Sequence, residues 1–307
     1  MTYLLLITGL LILLVGGKIL VDGASAIAAR LGLSAGLIGL TVVAFGTSAP
    51  ELLVSITAAL KGSSDIAIGN VVGSNISNIT LVLGTTAIIY PILITKPILK
   101  MDYTFTLITS VIFFLLSWNG IINLAEGILL VLLLVGVNMY FFKKIERIEI
   151  DTDESSQLKR KSPIIAIMMI LVGIAGLYFG SELFVDNGVI IAGTLGISER
   201  IVGVTVIAIG TSLPELATSV VAALKKETDI AIGNILGSNI MNVLCIIGIT
   251  AIVKPIDVSP LFIYNDYLWM IGFTLLIFPL MRINWHISRI SGGILLVGYG
   301  VYLYLLL

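Results

Sequence analysis

Glu51 and Glu215 are carboxylates placed inside long apolar runs, and each closes the same kind of six-residue segment. These are Gly46-Thr47-Ser48-Ala49-Pro50-Glu51 and Gly210-Thr211-Ser212-Leu213-Pro214-Glu215. An unpaired carboxylate at membrane depth costs several kcal/mol or becomes protonated. Neither run offers Lys or Arg near that depth, so a bound cation is the partner that relieves the cost. Proline supplies further oxygens. Pro50 has no amide hydrogen, so the carbonyl of Gly46 loses its helical donor, and Pro214 does the same to Gly210. A helix kinked or unwound there makes the carbonyls of Ala44, Phe45 and Gly46, and of Ala208, Ile209 and Gly210, available to a cation. Broken helices are tolerated in a bilayer where they line a cavity or are buried in protein.

A second polar group follows each glutamate: Gly69-Asn70, Gly73-Ser74-Asn75 and Asn78 in the first case, Gly233-Asn234, Gly237-Ser238-Asn239 and Asn242 in the second. Ser74 and Asn78 are four apart and share one helix face. Close helix packing explains the glycines but leaves the serines and asparagines in need of polar partners. Two carboxylates with hydroxyl, amide and backbone oxygens form a hard, all-oxygen donor set. Such a set suits Ca²⁺, with its roughly 6–8 oxygen ligands, or Na⁺ better than Zn²⁺ or Cu⁺. Two negative charges balance one Ca²⁺, and several Na⁺ can use the same oxygens in turn, so the chemistry implied is competition at one shared site.

Both groups belong to an internal repeat. The shift that lays Glu215 on Glu51 aligns 38–78 with 202–242 without a gap, and more than half of the positions are identical. Shared positions include Thr41 with Thr205, Asp65 with Asp229, and Asn70 with Asn234, which hydrophobicity alone does not produce.

The elements that position these residues are membrane spans. The chain is 58% hydrophobic and 11% charged, with a net charge of -1 and a mean hydropathy of +1.14. This places it in a bilayer and argues against nucleic acid as a partner. Runs long enough to cross the hydrocarbon as helices occur near 3–22, 36–60, 65–90, 103–118, 121–142, 163–185, 199–224, 229–253, 261–281 and 289–307. The expected fold is therefore all-α, with ten transmembrane helices in two five-helix repeats, 1–142 and 163–307, joined by a hydrophilic linker at 143–162. Five is an odd number, so the second repeat enters the membrane inverted, a design that brings corresponding segments together near the midplane. Placing the N-terminus outside puts Arg30, Lys96, Lys100, the linker cations, Lys225, Lys226, Arg282 and Arg289 on the inner side. Only Lys61, Arg200 and Lys254 remain outside. This bias predicts both termini outside and a cytoplasmic linker in a cell-membrane protein. Leu4 to Val15 reads as a retained first span, because no basic residue precedes it and Pro163 to Gly180 is a similar helix in the equivalent place.

At the two repeated motifs the sequence resembles the cation/calcium exchanger superfamily, in particular its sodium/calcium exchanger branch of prokaryotic type. Its two alpha-repeats carry Gly-Thr-Ser-x-Pro-Glu followed by Gly-Asn-x-x-Gly-Ser-x-x-x-Asn. The resemblance implies an inverted-repeat antiporter working by alternating access. It implies Ca²⁺ bound mainly by Glu51 and Glu215. Na⁺ would use these with Thr47, Ser48, Ser74 and Asn78, their partners Thr211, Ser212, Ser238 and Asn242, and the carbonyls of Ala44 and Ala208. Some prokaryotic and potassium-dependent relatives have aspartate where this chain has Asn242, which argues against K⁺ co-transport. Proton-coupled relatives resemble Gly-Asn-Ala-Ala-Glu where Gly69-Asn70-Val71-Val72-Gly73 stands here. Coupling to protons or potassium is the alternative reading.

No cofactor is implied, and no catalytic motif such as Gly-x-Ser-x-Gly or His-Glu-x-x-His is present. The single histidine, His286, lies between Arg282 and Arg289 at a predicted inner connection. Cys245 has no intrachain partner. A passive channel shares the polar midplane residues and is the competing transport class.

Overall fold

A computed structural model describes residues 1–143, 162–194 and 208–306, and these are almost entirely helical. Apolar helices satisfy every backbone group within the segment, which is what lipid demands. Helix α1 covers Thr2–Leu31. A broken span follows, with α2 at Ala35–Thr47 and α3 at Ala49–Leu60 bent by 44°. Helices α4 (Ser64–Ile89), α5 (Ile98–Ser117) and α6 (Leu124–Lys143) complete the first half. The second half holds α7 (Pro163–Thr194), α8 (Ala208–Thr211), α9 (Leu213–Leu224), α10 (Thr228–Val253), α11 (Phe262–Trp285) and α12 (Arg289–Leu306).

Among the described residues eight helices are long and apolar enough to span a membrane, and the bent pair α2/α3 makes nine. The tenth expected span, 199–224, is represented by α8 and α9. The rest of it, 199–207, lies outside the described residues, as does most of the expected linker. Several boundaries differ from expectation: α5 begins at Ile98 rather than 103 and takes in Lys100, read as part of a connection. Helix α1 continues to Leu31, so Arg30, read as part of a connection, sits in its last turn, and α7 extends past 185 to Thr194.

Helices α4 and α10 form the centre, with 72% and 89% of their apolar windows buried, against 22% for α6 at the periphery. Their polarity is affordable because protein surrounds them rather than lipid. Helices α1 and α7 pack along glycines: a Cβ on Gly173 would lie 2.7 Å from the Leu20 backbone nitrogen, an approach only a residue without a side chain permits.

Two short antiparallel pairings tie the halves together. Ile92–Leu93 (β1) pairs with His286–Ile287 (β4), and Ile121–Ile122 (β2) pairs with Ile256–Asp257 (β3). The repeat relation exchanges the two pairings, since 92 corresponds to 256 and 122 to 286. His286 is thus a strand residue whose Nδ1 lies 3.1 Å from the Asn284 carbonyl oxygen.

Candidate cation-binding site

Both Pro-Glu segments build the same corner. Only Ser48, at φ -88° and ψ 5°, separates α2 from α3, and only Ser212, at φ -88° and ψ 2°, separates α8 from α9. Proline takes the second position of each continuing helix, where a missing amide hydrogen is tolerated because first-turn amides have no intrahelical acceptor. Glu51 and Glu215 fall in that same first turn, at the positive end of the helix dipole. The carbonyls left by the break are partly used within the protein. Ser181 Oγ donates to the Gly210 carbonyl at 2.8 Å. The Ala44 carbonyl accepts the Ser48 amide at 3.0 Å and the Thr47 hydroxyl at 3.3 Å.

Helices α4 and α10 meet through a reciprocal pair of amides. Asn78 Nδ2 donates to Asn239 Oδ1 at 3.1 Å, and Asn242 Nδ2 donates to Asn75 Oδ1 at 3.0 Å. These bonds fix which way each amide faces, leaving Oδ1 of Asn78 and of Asn242 as the outward acceptor. Each of the two opens a π-helical turn, Asn78–Val82 and Asn242–Ile247. Such widened turns recur at functional sites in helices. The corners reach across in the same reciprocal way: Thr47 Oγ1 lies 3.4 Å from Ser238 Oγ, and Ser74 Oγ 3.5 Å from Thr211 Oγ1. Ser48 Oγ donates to Glu215 Oε1 at 3.1 Å.

Glu51 and Glu215 are each 1% exposed. Among the described residues neither forms an ion pair with Lys or Arg. Glu51 Oε1 and Oε2, Glu215 Oε2, Asn78 Oδ1 and Asn242 Oδ1 are all buried without a hydrogen-bond donor. Buried polar atoms without partners are rare and call for an explanation. Every atom in this group is an acceptor, the kind of group a cation can complete. The atoms gathered here are carboxylate, amide and hydroxyl oxygens, a donor set that suits Ca²⁺ or Na⁺.

Of the residues predicted from sequence, Glu51, Thr47, Ser48, Ser74, Asn78, Glu215, Ser212, Ser238 and Asn242 are all buried, and cross-repeat hydrogen bonds connect most of them. Thr211 joins through Ser74. Ala44 is buried beside Met241 and Cys245, and Ala208 opens α8. The sequence marked Asn70, Asn75, Asn234 and Asn239 as needing polar partners without naming those partners. Asn75 and Asn239 orient the amides of Asn242 and Asn78. Asn70 Nδ2 donates to the Glu51 carbonyl at 3.0 Å and to Ser55 Oγ at 2.9 Å, and Asn234 Nδ2 to the Glu215 carbonyl at 3.5 Å and Ser219 Oγ at 3.0 Å. Their recurrence in both repeats was the available signal. The halves are not equivalent, however. Gly69, Asn70 and Gly73 are half-buried, whereas Gly233, Asn234 and Gly237 are fully buried.

The model of the family described as sodium/calcium exchanger protein matches residues 1–143 and 165–307. The putative antiporter CaxA of Alkalimonas amylolytica is 37% identical over 98% of this chain and 97% of its own length. The sodium/calcium exchanger MaX1 of Methanosarcina acetivorans is 32% identical over 99% of this chain and 98% of its own. The solved sodium-calcium exchanger NCX_Mj superposes with a TM-score of 0.85 at 29% identity, covering 100% of this chain and 99% of that one. With a matched family model over nearly its whole length and a buried oxygen site at the meeting of its repeats, this integral membrane chain belongs to the sodium/calcium exchanger family of transporters.

Proposed function

We propose that the chain is a secondary antiporter that exchanges Na⁺ for Ca²⁺ across the cell membrane, driven by the sodium gradient. Both ions compete for one site formed by Glu51, Thr47, Ser48, Ser74 and Asn78 with Glu215, Thr211, Ser212, Ser238 and Asn242, together with the carbonyls of Ala44 and Ala208. The observation that carries this reading is the set of buried acceptors on Glu51, Glu215, Asn78 and Asn242 that no donor satisfies. The full-length likeness to MaX1, named a sodium/calcium exchanger, supports the choice of ions.

The site sits between two inverted five-helix repeats, ten spans in all, and alternating access exchanges the roles of the halves. Their inequivalence supports this: the Gly69–Gly73 segment is half-buried while its counterpart is closed. The distribution of Lys and Arg puts the open segment toward the outside, with both termini outside and the linker cytoplasmic. The strand pairings support that topology, since each joins two connections assigned to the same membrane side.

Vesicles reconstituted with the protein and loaded with Na⁺ test the proposal. Ca²⁺ uptake is expected to require the outward Na⁺ gradient and to disappear with Glu51→Gln or Glu215→Gln. Uptake that survives both substitutions sinks the site. Uptake driven equally by a proton or potassium gradient sinks the sodium coupling, and passive Ca²⁺ flux without any counter-ion makes the protein a channel.

A further inference from the structure

The two carboxylates of the site have unequal surroundings. Glu215 Oε1 accepts from Ser48 Oγ at 3.1 Å. Glu51 receives no side-chain donor at either oxygen. The repeat relation would have Ser212 donate to Glu51 as Ser48 donates to Glu215, but Ser212 Oγ is instead 2.6 Å from Ser77 Oγ.

The proton count explains the difference. A hydroxyl has one hydrogen to give. Ser77 Oγ is placed to donate to the Ser74 carbonyl at 3.2 Å, and in that arrangement Ser212 is the donor of the 2.6 Å contact with Ser77. Ser212 then has only lone pairs left to offer, and Glu51 keeps two oxygens without a donor. In the other half the position equivalent to Ser77 is Met241, which packs on Ala44 and Cys245 and offers only a weakly accepting thioether. The Ser48 proton therefore goes to Glu215.

We propose that Ser77 is a positioning residue of the ion site: it draws the Ser212 proton away from Glu51, so that Glu51 and Ser212 together present an acceptor-only face where the divalent ion is held. The proposal rests on the reading of Glu51 as a Ca²⁺ ligand. Without Ser77, the Ser212 hydroxyl turns to Glu51 and competes with the cation for the carboxylate. Charge-assisted hydrogen bonds are strong enough for that competition to be felt.

The test is a double-mutant cycle on the full-length protein, with Ca²⁺ binding measured by calorimetry in detergent and Na⁺-driven Ca²⁺ uptake in vesicles. Ser77→Ala is expected to raise the Ca²⁺ Kd and KM about tenfold while kcat stays within about twofold. Ser77→Thr, which keeps the acceptor, is expected to stay within about threefold of the native protein. In a Ser212→Ala background, where no proton remains to be redirected, Ser77→Ala is expected to add nothing. If Ser77→Ala does not purify as a monodisperse species, Ser77→Cys, with a weakly accepting thiol, takes its place in the cycle. An unchanged Kd overturns the inference. So does a full-sized loss that persists in the Ser212→Ala background or is reproduced by Ser77→Thr, either of which assigns Ser77 to packing. Glu51→Gln separates this failure from that of the site itself: if it leaves Ca²⁺ binding intact, the site reading fails, and if it abolishes binding while Ser77→Ala is silent, only the role of Ser77 falls.

Discussion

Replacing Glu51 by Gln removes one negative charge while nearly conserving shape, and the structure sets how the two ions should respond. The Glu51 carboxylate is buried, has no basic partner among the described residues and accepts no side-chain hydrogen bond, so its charge is directed wholly at whatever cation enters. A charge-assisted contact contributes about 1.5–3 kcal/mol after solvation. Coulomb energy scales with the product of the charges, so a monovalent ion loses about that much and a divalent ion about 3–6 kcal/mol. In dissociation constants this is about 10- to 100-fold for Na⁺ against about 10²- to 10⁴-fold for Ca²⁺. Calorimetric titration of the detergent-solubilised variant with each ion measures both. The expected result is Na⁺ binding weakened but detectable and Ca²⁺ binding lost from the accessible range. Equal weakening of the two ions would refute the argument, because a purely steric defect does not distinguish charge, and a Ca²⁺ affinity changed less than about fivefold would remove Glu51 from the site.

Substituting Asn239→Leu removes the acceptor for Asn78 Nδ2 and leaves a buried amide unpaired, which costs about 1–3 kcal/mol. A lower unfolding temperature in detergent should accompany weaker Ca²⁺ binding, and a change in neither would show that the amide bridge orients nothing. Gly73→Ala is expected to fold normally, since among the described residues an added Cβ meets nothing within 4 Å, whereas Gly237→Ala places one 2.3 Å from the Leu40 carbonyl oxygen and should prevent assembly. If the halves exchange roles during transport, the well-folded Gly73→Ala protein should bind Ca²⁺ yet fail to turn over, and normal transport would count against that exchange. Lys225 at the end of α9 is paired with Asp22 in α1, while their repeat counterparts Lys61 and Asp186 are exposed. Crosslinking Asp22→Cys with Lys225→Cys should stop transport until a reductant is added, and undiminished transport in the crosslinked protein would show that this contact persists throughout the cycle.

Much of the site was legible before any coordinates. Glu51 and Glu215 stand out because a carboxylate in an apolar run demands compensation, and Thr47, Ser48, Ser74, Asn78 and their counterparts stand out because a repeat preserves them. Span assignment was also direct, since lipid permits few alternatives to an apolar helix. What escaped were features that depend on neighbours distant in sequence. Proline signalled a break beside each glutamate, but the capture of the Gly210 carbonyl by Ser181 comes from α7, and nothing in the local sequence points to it. Asn75 and Asn239 recur like the ligands themselves, and only their placement distinguishes an orienting amide from a coordinating one.

The sequence by itself determined the chemistry: an apolar chain, two copies of one motif, a pair of carboxylates and an all-oxygen donor set. A repeat, however, is symmetric on paper, and Gly73 and Gly237 or Ser48 and Ser212 look alike in it. Tertiary structure decided how the copies differ, because Gly237 packs on the Leu40 backbone while Gly73 meets nothing within 4 Å among the described residues, and because one unrepeated hydroxyl, Ser77 opposite Met241, contacts Ser212.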